Sequence, residues 1–262
     1  MYAIIFHAHQ KINRVAYRHF KHLQPEAYFP SIRQILQFEG RHGPDASQLK
    51  KPGLSEQPWH FVDPLNRADV DLHGLIDGHY KALVTALRAR DEIRSAFEAA
   101  WLAHALVDGL TPAHHYPYEE ELEELRGEDR HSRQGLLGRG FVHGDTLLQS
   151  IKRSLQLVGP RGLLTTHAMF EAGAYALMVP LPLNHALPSP RDIDIVSAQG
   201  VVGLFKQLAE EIANFKIYIR FIERGWTHTV SRDIRRELAP RMVRMVLLAW
   251  YSAAREAEQA TS

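Results

Sequence analysis

The sequence predicts an all-α protein, and three observations support that class. Apolar residues recur at helical spacing in several segments, most regularly between Phe97 and Asp108. No stretch alternates apolar and polar residues for long enough to form a sheet. Prolines cluster between the periodic segments, at 52–64 and 180–190. Because we find neither an internal repeat nor a clear linker, we predict a single all-α domain over residues 1–262.

The first half of the chain divides into four predicted helices and one long irregular stretch. One helix begins near residue 9 with an apolar stripe on one face, and a second, introduced by a proline, covers 31–40. Residues 41–66 are rich in glycine and proline, and loops of that length in a compact domain are usually functional. Further helices are predicted over 69–90 and from 91, where an aspartate can cap the helix, to 109.

The second half begins with a charged stretch, 116–133, whose acidic run is typical of a solvated helix face. We expect residues 1–178 to hold the functional site and 190–258 to pack against them as a helical pair. The helices predicted beyond the charged stretch cover residues 145–158, 163–177, 191–224 and 229–258.

Composition excludes several classes of function. The 31 Lys and Arg nearly balance the 30 Asp and Glu, so the chain lacks the overall positive charge of a dedicated nucleic-acid binder. Cysteine is absent, which excludes disulfides, thiolate catalysis and cysteine-ligated zinc. The 16 histidines are an unusual excess and indicate a borderline metal. With no long apolar run and no convincing signal peptide at the start, we expect a cytoplasmic protein without a transmembrane segment.

The strongest chemical signal lies at the end of the helix predicted over 91–109. His104 and Asp108 are one helical turn apart on an otherwise apolar stripe. A buried carboxylate needs a partner, because an unpaired buried charge costs several kcal/mol. Gly109 and a proline then end the helix, and the turn delivers His114 and His115. These residues alone leave two interpretations open, a buried hydrogen bond or a pair of metal ligands.

Four other segments contain residues of the same ligand types, His, Asp and Glu. His9 opens the first helix, and His167 and Glu171 are a second pair at i, i+4. Residues 43–45 read Gly-Pro-Asp, and 59–63 read Trp-His-Phe-Val-Asp. In this order and at these intervals, the segments resemble the zinc-dependent phospholipase C superfamily, which includes the single-strand-specific zinc nucleases. The resemblance covers about residues 6–171.

The resemblance implies a cluster of two or three zinc ions among the helices. Imidazole nitrogens and carboxylate oxygens are ligands that suit zinc. Asp45 would also be the catalytic residue, as the base or orienter of the attacking water. The implied ligands are Asp45, His60, His104 and Asp108 for one ion, His114, His167 and Glu171 for a second, and His9, bridged through Asp108, for a third.

The chain departs from the family pattern at two of these sites. In the family, an N-terminal tryptophan binds the third ion, whereas this chain begins with Met1. Either His7 joins His9 there, or the third site is absent. The interval between the second ion's histidines is also longer than in the family. Alternative ligands for that ion are therefore His115, His131 and His143.

The expected activity is hydrolysis of a phosphodiester, with a phospholipid, nucleotide or oligonucleotide as substrate. Phe61 and Asp63 occupy positions that form a base pocket in the nucleases. Ala46 and Gln57 stand where choline-lipid enzymes have aromatic residues, which argues against a phosphocholine pocket. Two alternatives remain open: a non-catalytic, metal-stabilised binding or scaffold protein, and a metal-free helical protein with buried His–Asp pairs. The sequence does not indicate an oligomeric state.

Overall fold

The computed structural model of the chain describes residues 2–39, 43, 62–66, 70–116, 124, 149, 152, 155–157 and 159–259, with side chains from residue 8 onward. Within these ranges the chain forms helices and no strand, which confirms the predicted all-α class. Most of the predicted loop 41–66, the acidic run and much of the helix predicted over 145–158 lie outside the described residues.

Two helices begin the fold. Helix α1 spans Tyr2–Leu23, so it starts before the position that the sequence predicted, and helix α2 spans Ile32–Glu39. The apolar stripe of α1 is fully buried at Ile12, Ala16 and Phe20. Because His9 and Asn13 are also buried, α1 carries polar groups into the core.

Helices α3 (Asp71–Arg88) and α4 (Glu92–Gly109) are joined by a tight turn and pack against each other. The predicted N-cap is confirmed, because the Asp91 side chain accepts a hydrogen bond from the backbone N–H of Arg94 at 2.9 Å. Most of α4 is buried. A short 3₁₀ helix, Pro112–His115, follows α4 after two residues.

The predicted helix over 191–224 is instead two helices. After α5 (Leu163–Met178), helix α6 spans Pro190–Asn214 and α7 spans Ile217–Arg224. Lys216 separates α6 from α7 with a φ of 49°, a left-handed conformation that ends a right-handed helix. Helix α6 itself kinks at Gly200, whose φ of 71° is open to glycine without a steric penalty.

The helix predicted over 229–258 is also less regular than the pattern predicted. Helix α8 (His228–Asp233) continues through a π-helical turn, Ile234–Leu238, into α9 (Ala239–Gln259). Trp250 on α9 is fully buried and donates a hydrogen bond to the carbonyl of Ala99 at 3.0 Å. Contacts of α9 with α1, α3 and α4 make it one wall of the core. In the parts of the chain described above, no helix is both long and apolar enough to cross a membrane.

Candidate metal centre

Four ionisable side chains from three helices meet in the core, and we call them the first ligand group. They are His9 on α1, Glu39 at the end of α2, and His104 and Asp108 on α4. None is more than 5% exposed to solvent. Helix α4 supplies two of them because residues four apart lie on one face of a helix.

Each carboxylate of the first ligand group contacts both imidazoles. Oε1 of Glu39 lies 3.1 Å from Nδ1 of His104 and 3.3 Å from Nδ1 of His9. On the other side, the oxygens of Asp108 lie 3.0 Å from Nε2 of His104 and 3.1 Å from Nε2 of His9. The two rings are stacked, with centroids 4.6 Å apart and an interplanar angle of 23°. Ligand atoms of His9, Glu39 and His104 are close enough together to hold one metal ion.

Glu39 is the member of this group that sequence reasoning missed. It is the last residue of an eight-residue helix, and no other ligand-type residue precedes it within that helix. Its other oxygen, Oε2, accepts a hydrogen bond from Nδ2 of Asn13 at 3.2 Å. Asn13 lies one helical turn after His9, so α1 supplies both an imidazole and the amide that orients Glu39. The sequence signal that could have identified Glu39 was its position one turn after Ile35, on the apolar face of α2.

The second ligand group comprises His114 on the 3₁₀ helix and His167 and Glu171 on α5. Oε1 of Glu171 lies 3.0 Å from Nε2 of His114 and 3.2 Å from Nε2 of His167. The two imidazoles stack with centroids 5.2 Å apart and an interplanar angle of 12°. These three residues also have ligand atoms close enough together for one ion. The structure thus brings together the three residues that the resemblance implied for the second ion.

Backbone carbonyls orient the two histidines of the 3₁₀ helix differently. Nδ1 of His114 donates a hydrogen bond to the carbonyl of Asp108 at 3.0 Å, so its Nε2 faces Glu171 with a lone pair when the ring is neutral. Nε2 of His115 donates to the carbonyl of Gly109 at 2.8 Å. Burial lowers the pKa of His115 to about 4, so this ring is neutral at pH 7. Between the two candidates, it is His114 that the fold brings to Glu171.

The two ligand groups are neighbours. The hydrogen bond from His114 to the carbonyl of Asp108 joins them through the main chain. Tyr175 joins them from the other side, since its hydroxyl lies 3.3 Å from Nε2 of His9. Tyr175 follows Glu171 by one turn of α5 and is itself 1% exposed. The result is one buried polar centre built by α1, α2, α4, the 3₁₀ helix and α5.

Two members of the centre, His9 and Glu171, have pKa values that are shifted by their neighbours. Burial by itself lowers the pKa of His9, but the carboxylates of Asp108 and Glu39 outweigh it and raise that pKa above its ordinary value. Burial by itself raises the pKa of Glu171, but the adjacent His167 and His114 lower it far below its ordinary value. In both cases contacts within the centre outweigh the effect of burial on the pKa.

Several predicted site residues lie outside the described part of the chain. This is so for Asp45, His60 and Phe61, for the alternative ligands His131 and His143, and for the side chain of His7. Asp63 is described, and it is exposed, with its Oδ1 accepting a hydrogen bond from the backbone N–H of Leu65 at 2.9 Å. The neighbouring Val62 N–H donates to the carbonyl of His114 at 3.1 Å, so the segment carrying Asp63 reaches the second ligand group.

Comparisons of the chain with protein-family models, with curated proteins and with solved structures return no match. The resemblance to the zinc phospholipase C superfamily therefore depends on the residues themselves and their spacing. Its fold and its activity stay predictions for this chain. What the structure adds is the geometry of seven ligand-type side chains, one of which, Glu39, the resemblance did not imply.

Proposed function

We propose that this protein is a zinc-dependent phosphoesterase that hydrolyses phosphodiesters at the two ligand groups. The observation that carries the proposal is a count of hydrogen-bond donors. Each ligand group has more short contacts between imidazole nitrogen and carboxylate oxygen than its neutral histidines have N–H groups left to fill them, because His114 already donates its N–H to the carbonyl of Asp108. A cation in each group resolves the excess.

In the first ligand group, four nitrogen–oxygen contacts measure 3.0–3.3 Å. A neutral imidazole carries one N–H, so His9 and His104 together supply two donors. At least two of the four contacts then set a nitrogen lone pair against a carboxylate oxygen. Two buried carboxylates facing two neutral rings also bring two negative charges close together in the core, which is costly.

The second ligand group repeats the pattern. The carbonyl of Asp108 fixes the proton of His114 on Nδ1, so its Nε2 meets Oε1 of Glu171 at 3.0 Å without a proton between them. The Nε2 of His167 lies 3.2 Å from the same oxygen. A metal ion between them would explain why two imidazole nitrogens lie so close to one carboxylate oxygen.

Protons are the competing explanation, and the stacking of the rings disfavours them. Protonating both imidazoles of the first group would place two positive rings 4.6 Å apart, centre to centre. The second group would hold another such pair at 5.2 Å. A single divalent ion per group would supply the same charge, in the first group where Oε1 of Glu39 meets the two Nδ1 atoms, on the side of the rings opposite Asp108. Protonation of both imidazoles of a group therefore has less favourable electrostatics than one bound ion.

Zinc suits this donor set, which consists of imidazole nitrogens and carboxylate oxygens without thiolate. Zinc bound there would supply Lewis-acid chemistry, neutralising the charge that develops on a phosphoryl group and acidifying water. The chain's own residues hold the ligands in place: Asn13 orients Glu39, and the Asp108 carbonyl orients His114. Asp45 keeps the role that the resemblance gives it, as a ligand and as the base or orienter of the attacking water.

For substrate class, we propose an accessible phosphodiester without a choline requirement. Ala46 and Gln57 replace the aromatic residues of a phosphocholine pocket, and the near-neutral chain lacks the basic stripe of a long nucleic-acid groove. The segments that would select the substrate are the loop 41–66 and the insertion between His114 and His167.

The test is a parallel assay of zinc-loaded wild type, Asp45→Asn and His104→Ala. The substrates are bis(p-nitrophenyl) phosphate, a short single-stranded oligonucleotide and phosphatidylcholine. We expect zinc-dependent cleavage of the first two to exceed that of the lipid, and Asp45→Asn to abolish it while the far-ultraviolet circular dichroism spectrum is retained. Preferential turnover of phosphatidylcholine would reverse the substrate ranking. No turnover by the zinc-loaded protein would favour the non-catalytic metal-binding alternative.

A further inference from the structure

Several large apolar side chains on and near α7 are exposed to solvent. Ile219 and Ile222 on α7 are 40% and 44% exposed, and Trp226, just after the helix, is 40% exposed. Met169 on α5 is 50% exposed. We call these four residues the α7 face. Single exposed apolar residues are ordinary, whereas a contiguous group marks an interaction surface.

Helix geometry places the two isoleucines together on the outer side of α7. Helix α7 buries Ile217, Tyr218 and Phe221, so Ile219 and Ile222, one turn apart, face away from the core.

Trp226 connects this row to α5. Its ring stacks parallel to that of Phe170, with centroids 5.9 Å apart. It also lies so close over Gly173 that a Cβ at that glycine would meet the indole at 2.0 Å. Met169 precedes Gly173 by one turn, on the same face of α5 as the indole. The α7 face is therefore continuous from α7 to α5.

The segment that carries most of the α7 face is basic, although two of its arginines, Arg241 and Arg244, pair with acids. Residues 216–244 contain eight Lys and Arg but three Asp and Glu, although the whole chain has a formal net charge of +1. Asp233, one of the three acids, is already shared between Arg220, at 2.6 Å, and Arg232, at 3.0 Å. Because Arg220 is on α7, this pairing links α7 to the residue that precedes the π-helical turn. Four other cations of the segment are exposed to solvent, Lys216, Arg224, Arg235 and Arg236.

We propose that the α7 face binds the surface of an anionic phospholipid bilayer. Aliphatic side chains and a tryptophan flanked by Lys and Arg are the combination that inserts shallowly among lipid headgroups while pairing with their charge. Basic residues near an anionic membrane surface add electrostatic attraction to the headgroups. A second copy of the chain fits less well, because two such faces would repel each other. Single-stranded nucleic acid would use aromatic stacking rather than exposed isoleucines.

The helices that carry this surface also contribute to the second ligand group. His167 is on α5, and the ring of Tyr218, on the buried side of α7, lies 6.4 Å from that of His167, edge to face. The proposal does not depend on catalysis or on zinc, because the face consists of side chains outside both ligand groups.

The test measures co-sedimentation of the full chain with vesicles, one set of phosphatidylcholine with phosphatidylglycerol and one of phosphatidylcholine alone. We expect binding to the anionic vesicles, weakened by salt, and a loss of affinity of about tenfold in the double variant Ile219→Gln, Ile222→Gln. The variant Arg235→Gln, Arg236→Gln should weaken binding to the anionic vesicles and reduce its dependence on salt.

Ile93→Gln is the matched control, because Ile93 is an isoleucine 74% exposed on the first turn of α4. It should bind as wild type does, and thermal melting should show all variants folded. Equal sedimentation of wild type and the α7 double variant would overturn the proposal. So would binding of a fluorescent oligonucleotide that the isoleucine substitutions abolish, in the absence of vesicle binding, or a dimer in light scattering that the same substitutions dissociate. Zinc content and phosphodiesterase activity are measured separately, so their failure would leave this result intact.

Discussion

Oε1 of Glu39 lies 3.1 Å from Nδ1 of His104, although the two residues are 65 positions apart in the chain. The contact closes the first ligand group, because Glu39 and Asp108 then flank both imidazoles from opposite sides. A glutamate 1% exposed to solvent is retained in a core only with compensating charge around it. Glu39 is therefore the residue at which the proposed metal centre is most directly tested.

We predict that Glu39→Gln lowers the zinc affinity of the first ligand group by about 10–100-fold, the range seen when a carboxylate that binds or orients metal ligands is lost. Glutamine keeps the shape and the partner Asn13 but removes the charge. Zinc affinity is measured by competition with a chromophoric chelator. Glu26→Gln is the control, because Glu26 is exposed between α1 and α2. Equal affinities of wild type and Glu39→Gln would remove Glu39 from the centre.

We predict at least two zinc ions per chain in protein purified without a histidine tag or chelator. His9→Ala and His114→Ala should each reduce the content by about one ion, since they belong to different ligand groups. Elemental analysis by mass spectrometry gives the count. His22→Ala, an exposed histidine of α1, should leave it unchanged. Fewer than one equivalent in wild type, with no recovery on adding zinc, would refute the metal centre.

We predict that metal removal destabilises the fold. The ligands come from α1, α2, α4 and α5, and a bound ion ties those helices together only in the folded state. EDTA should lower the melting temperature by many degrees, and Asp108→Ala should lower that of the zinc-loaded protein in a similar way. Asp77→Ala is the control, since Asp77 pairs with Lys81 on the solvent side of α3. A melting curve unchanged by chelation, after verified metal loss, would favour buried hydrogen bonds instead.

We predict opposite effects of alanine at two helical glycines. Gly173→Ala should destabilise the protein by about 1–3 kcal/mol, because the new methyl group must displace the indole of Trp226. Gly78→Ala, in the interior of α3 with open space around it, should stabilise the protein by about 1 kcal/mol through helix propensity. Denaturant unfolding measures both changes. A neutral Gly173→Ala would mean that Trp226 does not lie over α5.

Local patterns in the sequence predicted much of this arrangement. The pairs His104–Asp108 and His167–Glu171 are four residues apart on helices, so one turn of helix brings each pair together without tertiary information. The same periodicity identified the helix from Asp91 to Gly109 within a residue of its observed limits, Glu92–Gly109. Both results follow because the governing interactions span a few residues.

Features that depend on tertiary packing were not predictable in this way. Glu39 has no ligand-type partner within its own helix, and its role follows from where α2 packs against α1 and α4. The break between α6 and α7 at Lys216 was also missed, since a lysine in the left-handed region has no sequence signature comparable to that of glycine. The apolar pattern continues across that break, so periodicity alone predicted one helix.

The hydrogen bond from His114 to the carbonyl of Asp108 has a thermodynamic consequence. The imidazole of one ligand group is oriented by the main chain of a residue whose carboxylate belongs to the other. An ion that orders Asp108 thereby also reduces the conformational freedom that His114 must lose, and the coupling is equal in both directions. The two ions should therefore bind with positive cooperativity, so that protein given half its zinc would contain mainly fully occupied and empty chains.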